Sequence, residues 1–191
     1  MAEKHLKKGT YGYIRAYKKY HLIVSVLWAC LVAAVFTAGV LIFKTRLNWL
    51  TLAAALLLLP AAKAWIASIV MIPYKTDEPE HFEKISAMVK DMPAEVYSDL
   101  VLTKYEGAMM ISVLVLYDDN FFAYVPKQRK TPDQIRQYLN EIIKEAGGSS
   151  KALVYNDFNK YEKAIQRLSR QEKVTGKKTA ALRKQLFVPA V

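Results

Sequence analysis

Lys63 is the single charged residue within two long apolar runs, 22–43 and 49–72. A lysine in that setting lines a polar path, pairs with an acid across an assembly, or reaches along its own stem toward water. Neither run supplies an acid. If the runs pair antiparallel about the short link between them, Ser25 comes level with Ser68, Trp28 with Trp65, and Lys63 with Ala29 and Cys30. Lys63, Ser25 and Ser68 are therefore the candidate intramembrane polar site. Other reactive constellations are sparse. His5, His21 and His81 are scattered and Cys30 is the only cysteine, so the spacing of a zinc site is absent and no intramolecular disulfide forms. Gly147-Gly148 closes a helical pattern instead of opening one, which is not how a backbone cradles phosphate. Asp118-Asp119 reads as a turn, and Ser149-Ser150 as a helix-to-strand connection. No catalytic, cofactor-binding or metal-ligating set is assigned, and no cofactor is expected.

The elements that would hold these residues begin with a transmembrane helical hairpin over 21–73. The first run carries no charge and, at roughly 1.5 Å per residue, reaches about 33 Å, enough to cross a bilayer core. The link of Lys44, Thr45, Arg46, Leu47 and Asn48 is too short for anything but an antiparallel return. Pro60 should kink the second helix, and small residues on both, such as Ala29, Ala33, Gly39, Ala61 and Ala64, permit close packing. Ahead of the hairpin, residues 1–20 hold six basic side chains against one acid, whereas the link holds two basic residues. That asymmetry places both termini in the cytoplasm. A cleaved signal peptide would have a shorter apolar core, so the first run is read as a retained anchor. Tyr13, Tyr17 and Tyr20 fall at helical spacing among Arg15, Lys18 and Lys19, which suits a segment lying at anionic headgroups.

Residues 74–172 have the length of one small domain. Acids and Pro79 open a helix over 81–90. Alternation then predicts a strand over 97–105 with Leu100 and Leu102 on one face and Asp99 and Thr103 on the other. A nearly unbroken apolar run, 108–117, predicts a central strand buried on both sides, and 121–125 a third strand. Thr131-Pro132-Asp133 starts a helix that ends at Gly147-Gly148. A fourth strand over 151–155 and a helix capped by Asn156 or Asp157 complete an α+β domain of order α-β-β-β-α-β-α with a mixed four-stranded sheet. Phe121 and Tyr124, followed by Lys127, Arg129 and Lys130, are the candidate partner surface.

This element order resembles the core of restriction-endonuclease-like nucleases. The resemblance is one of topology over 81–155, without a motif. Such enzymes hold a metal with an acid on one strand and an acid-x-lysine on the next, but 108–117 and 121–125 contain no Asp or Glu. Asp99 and Glu106 lie nearby, and the spacing of Lys104 does not complete the pattern.

The formal charge of +11 is unevenly distributed. Residues 74–162 carry eleven basic and fifteen acidic side chains, whereas 163–191 carry eight basic and one acidic. The basic tail, 173–191, is expected either to lie on anionic headgroups through Lys177, Lys178, Arg183 and Lys184, or to be a flexible arm that binds nucleic acid or an acidic protein, with disorder over much of 174–185. The reading that follows is a multi-pass, membrane-anchored cytoplasmic binding or scaffold module without catalytic activity. Its partners would be the anionic inner leaflet and a protein partner or a second copy, with lipid favoured over nucleic acid. The alternatives are a membrane-tethered nuclease-like or nucleic-acid-binding domain, and an oligomeric transport component that uses Lys63.

Overall fold

A computed structural model describes residues 7–45, 48–104, 107–126, 128, 130–169 and 178–190. The chain divides into two units, Ile14–Lys75 and the segments on either side of it. The first unit is the helical hairpin: α1 (Tyr13–Phe43) and α2 (Trp49–Met71) span 31 and 23 residues and are long and apolar enough to cross a membrane. The return between them is held by Asn48. Its Oδ1 accepts the Thr51 N–H at 2.9 Å and so caps α2, while its Nδ2 donates to the carbonyls of Thr45 at 2.8 Å and Gly39 at 3.1 Å. The less exposed positions of α1 include His21, Ser25, Trp28, Val32, Val35 and Gly39, and those of α2 include Leu50, Ala54, Leu57, Ala61, Ala64 and Ser68. Steps of three and four residues put each set on one stripe, the seam of a helix pair.

In the second unit, α3 (Pro79–Val89) is followed by β1 (Glu95–Lys104), β2 (Gly107–Tyr117) and β3 (Asn120–Tyr124), then α4 (Pro132–Glu145), β4 (Ala152–Tyr155), α5 (Phe158–Ser169) and α6 (Thr179–Phe187). The sheet order is β1-β2-β3-β4, with the first three strands antiparallel and β4 parallel to β3. This is the mixed four-stranded sheet the residue pattern predicts. Asp118 and Asp119 turn β2 into β3 as a two-residue link with both φ angles positive, the hairpin geometry that matches strand twist. Thr131 and Gln134 form a reciprocal capping box on α4. The apolar faces of α4 and α6 close one side of the sheet over Leu100, Ile111, Leu114, Leu116 and Phe121. On the other side α3 and α5 cover Val113, Val115, Phe122 and Tyr124. Every residue of β2 from Met109 onward is buried.

Three features depart from the expected pattern. Asp99 is not on a solvent face: it is buried in mid-strand with φ +53°. Strand alternation slips there. Tyr97 packs on the side of α4, yet so do Leu100 and Leu102, while across the pair Ile111 and Leu114 share that same side. Ser98 stays opposite Val113 and Leu100 opposite Ile111, so both strands slip at one level and the register survives.

The tail is the second correction. Within 174–185, the described residues 178–185 are not an arm: they lead into and form most of α6, whose Leu182 and Leu186 are fully buried in the core. Beyond it the Pro189 carbonyl accepts the Thr103 N–H at 2.9 Å, and Ala190 bridges to Leu102. Third, part of the N-terminal segment belongs to the domain. The Ser98 N–H donates to the Gly9 carbonyl at 2.9 Å, and the Lys8 ammonium donates to the Ala190 carbonyl at 2.7 Å. Both chain ends thus cover the open edge of β1, which would otherwise offer unpaired backbone groups to other chains.

Candidate functional site

Within the hairpin, the helix seam brings Ser25 and Ser68 together. Their hydroxyl oxygens are 3.1 Å apart, and each also lies within hydrogen-bond distance of the carbonyl four residues back, that of His21 at 2.7 Å for Ser25 and that of Ala64 at 3.1 Å for Ser68, so with one hydrogen apiece one hydroxyl donates across the seam while the other donates within its own helix. The Trp65 indole N–H donates to the Ser25 carbonyl at 3.2 Å. These bonds satisfy polar groups inside an apolar unit, and they cross-link the two helices. Lys63 is not part of the group: it lies on the exposed surface of α2, while its neighbours Ala61 and Ala64 are buried. Lys18 does not simply point outward either. Its ammonium donates to the carbonyls of Ile72, at 2.9 Å, and Tyr74, so a cation sits on the carbonyl end of α2 where the helix dipole favours it. Arg15 and Lys19 are exposed.

Of the candidate partner surface, Phe121 is fully buried against Leu116 and the α4 face, and Tyr124 is almost fully buried in the opposite core. The aromatic strand is interior, because β3 has β2 on one side and β4 on the other. Lys127 and Arg129 lie outside the described residues, and Lys130 is half-buried. Between them, Gln128 does what an extra strand would. Its Oε1 accepts the Met110 N–H at 2.8 Å and its Nε2 donates to the Met110 carbonyl at 2.6 Å, completing the β2 ladder beyond the end of β3.

Among the tail cations, Arg183 pairs with Glu95 at 2.9 Å. The backbone N–H of Lys178 donates to Asp119 at 3.0 Å, and its ammonium donates to the Gly147 carbonyl. Lys184 is exposed, and Lys177 lies outside the described residues.

The arrangement that sequence reading missed lies where β3 and β4 end. The His81 Nδ1 is 2.9 Å from the Asp77 carboxylate, and its ring stacks on Phe158 with centroids 3.7 Å apart and meets Tyr124 edge-on at 5.8 Å. Tyr124 in turn stacks on Tyr161. Burial, followed by the charges of Asp77, Asp157 and Glu78, pushes the Tyr124 phenol up, so it keeps its proton. A carboxylate orienting an imidazole supplies two of the three members of a nucleophilic triad, but here Phe158 covers one face of the ring and Tyr124 meets it edge-on, so the imidazole packs as a wall of the core. The only sequence signal was Asp77 and His81 four residues apart around the start of α3. Asp99, which the strand pattern set on a solvent face, has a role that the pattern did not show. Its Oδ2 accepts the Gly12 N–H at 2.8 Å and the Thr76 hydroxyl at 3.0 Å. These two donors belong to the chain segments immediately before and after the hairpin unit.

Among the described residues, no group of three or more His, Cys, Asp or Glu side chains is placed to hold a metal ion. Comparison with protein-family models, curated proteins and solved structures finds no match for this chain.

Proposed function

We propose that the protein is a membrane-anchored binding module. The α1–α2 hairpin inserts with both termini cytoplasmic, and the α+β domain is held at the inner surface to engage a protein partner or another copy. One observation carries the anchoring: among the described residues, the large hydrophobic side chains that stand exposed all lie on the hairpin unit except Leu153 and Val188. Each such side chain gains about 1.5–3 kcal/mol on leaving water, so a face this large calls for lipid or protein around it. The basic residues of 1–20 supply the orientation. A binding role, as against a catalytic one, draws on how the domain's polar side chains are used. Asp99 ties two segments together, Asp119 caps α6, His81 fills a core wall and Gln128 completes a ladder.

The test is a dual reporter fused in turn after Val191 and into the link between α1 and α2, together with extraction of membranes at high pH. The tail fusion should be active only on the cytoplasmic side, the link fusion only outside, and the chain should stay in the bilayer. A tail fusion active outside overturns the orientation, and a chain that washes off overturns the anchoring.

A second reading, a nuclease-like domain, draws on the order α3-β1-β2-β3-α4-β4. It predicts metal-dependent cleavage of DNA or RNA by the full chain in detergent, and it fails if no cleavage accompanies salt-dependent nucleic-acid binding.

A further inference from the structure

On α2, Lys63 shares one stripe with Leu59, Ile66 and Val70, spaced by three or four residues, and all four are exposed. The contacts of α2 with α1 lie on a different stripe, through Ser68 and Trp65. Along the helix, Lys63 is fourteen residues from Trp49 and eleven from Tyr74, or about 21 Å and about 16 Å. The four-carbon stem of a lysine does not cover either distance, so headgroup phosphates are out of reach while α2 stands upright. Ionisable side chains at such depth pair with one another or line water-filled cavities. Neither α1 nor α2 contains Asp or Glu. A second copy docked on this stripe by a two-fold axis would set Lys63 against Lys63, two like charges in a medium that screens them little.

What complements the stripe is a carboxylate at the same depth on a different chain. Resting on the reading of the hairpin as membrane-inserted, we propose that the Lys63 stripe docks a transmembrane helix of another protein that carries one Asp or Glu near mid-membrane. The ammonium–carboxylate pair supplies the selectivity, and Leu59, Ile66 and Val70 supply the packing on either side of it. The partner is thereby defined by chemistry: an apolar helix with a single central acid.

The full chain, affinity-tagged, is reconstituted in phosphatidylcholine vesicles containing a minor share of phosphatidylglycerol, with a labelled Leu-rich helix bearing a central Glu, Gln or Leu. The helix retained on the tag in mild detergent is then measured. The Glu helix should be retained about tenfold over the other two, equivalent to about 1.4 kcal/mol. Lys63→Met should reduce it to the Leu level, and Lys63→Arg should keep it. Equal retention of the three helices overturns the proposal, as does a Lys63→Met chain that holds the Glu helix like the native one. If lipid phosphate serves Lys63 instead, the three helices are retained equally and the native chain enriches phosphatidylglycerol around itself more than the Met variant, which also overturns it. Insertion is read separately, by resistance of both chains to high-pH extraction. A chain that washes off refutes the anchoring itself, whereas an inserted chain without a Glu preference refutes the docking alone.

Discussion

Asp99 holds a backbone conformation that costs most L-residues about 1–2 kcal/mol, and Asp is one of the few that tolerate it. Its carboxylate accepts from the Gly12 amide and the Thr76 hydroxyl, so the bonds that offset its burial are also those that fix the chain on either side of the hairpin. Asp99→Ala should lose charge-assisted bonds of about 1.5–3 kcal/mol and add backbone strain. Asp99→Asn keeps an acceptor and the left-handed tolerance, and should cost distinctly less. Chemical denaturation of the full chain in detergent compares the two, and equal loss would mean that the bonds contribute nothing. Gly9 is a second constrained position. Its φ is +82°, and an added Cβ would lie 2.9 Å from the Phe187 ring and 3.1 Å from Tyr97. Gly9→Ala should therefore loosen the N-terminal strap from β1, seen as faster amide exchange at Ser98.

At the scale of elements, α6 behaves as part of the core. Leu182 and Leu186 are one helical turn apart and both fully buried beside α4. Leu186→Ala should cost about 2–5 kcal/mol, as for other buried leucines. Replacing Lys184, which is exposed, should change stability by under about 0.5 kcal/mol. If Leu186→Ala unfolds at the same denaturant concentration as the native chain, α6 is not a core element. In the hairpin, Gly39 faces the turn: a Cβ there would meet Asn48 Oδ1 and Leu50 Cβ, each at 2.8 Å. Gly39→Leu should force the cap of α2 to shift and should weaken cross-linking between cysteines placed at positions 25 and 68, whose hydroxyls are 3.1 Å apart in the native chain. Unchanged cross-linking would show that the return tolerates the added bulk.

The whole molecule should be sensitive to alkali. Burial pushes the fully enclosed Tyr161 phenol well above its ordinary value, and Tyr97, Tyr124 and Tyr155 are raised as well. In the unfolded chain these phenols ionise near pH 10, roughly their unperturbed value. The folded state then holds protons that the unfolded state releases. The stability they contribute is complete below about pH 10 and falls as the pH rises above it, for Tyr161 by about 1.4 kcal/mol per pH unit. Unfolding midpoints between pH 8 and 11.5 should bend downward above 10, and the bend should be shallower in Tyr161→Phe. A flat profile would mean that the phenols titrate freely in the folded protein. The charge that the tail offers is narrowed at this scale too. With Arg183 paired to Glu95, the tail offers fewer uncommitted cations than the basic count suggests, and such exposed pairs are worth little to stability.

Periodicity and turn chemistry are local properties, and what they control was legible in the residues: two long apolar helices joined by a short link over 44–48, the meander of β1 to β3, the capped α4 and the parallel β4. The meeting of Ser25 with Ser68 followed from counting outward from a short link, because helical rise is constant. Contacts between distant segments were not legible. Nothing in residues 178–187 marks Leu182 and Leu186 as core, since two leucines one turn apart serve a membrane surface as well as a sheet. Phe121 and Tyr124 looked like a surface because the flanking sequence is basic, and became interior once β2 and β4 enclosed β3. Asp99 alternated like a solvent-facing residue. Only the packed fold brings Gly12 and Thr76 to it, 87 and 23 residues away along the chain, where a carboxylate can be buried at tolerable cost.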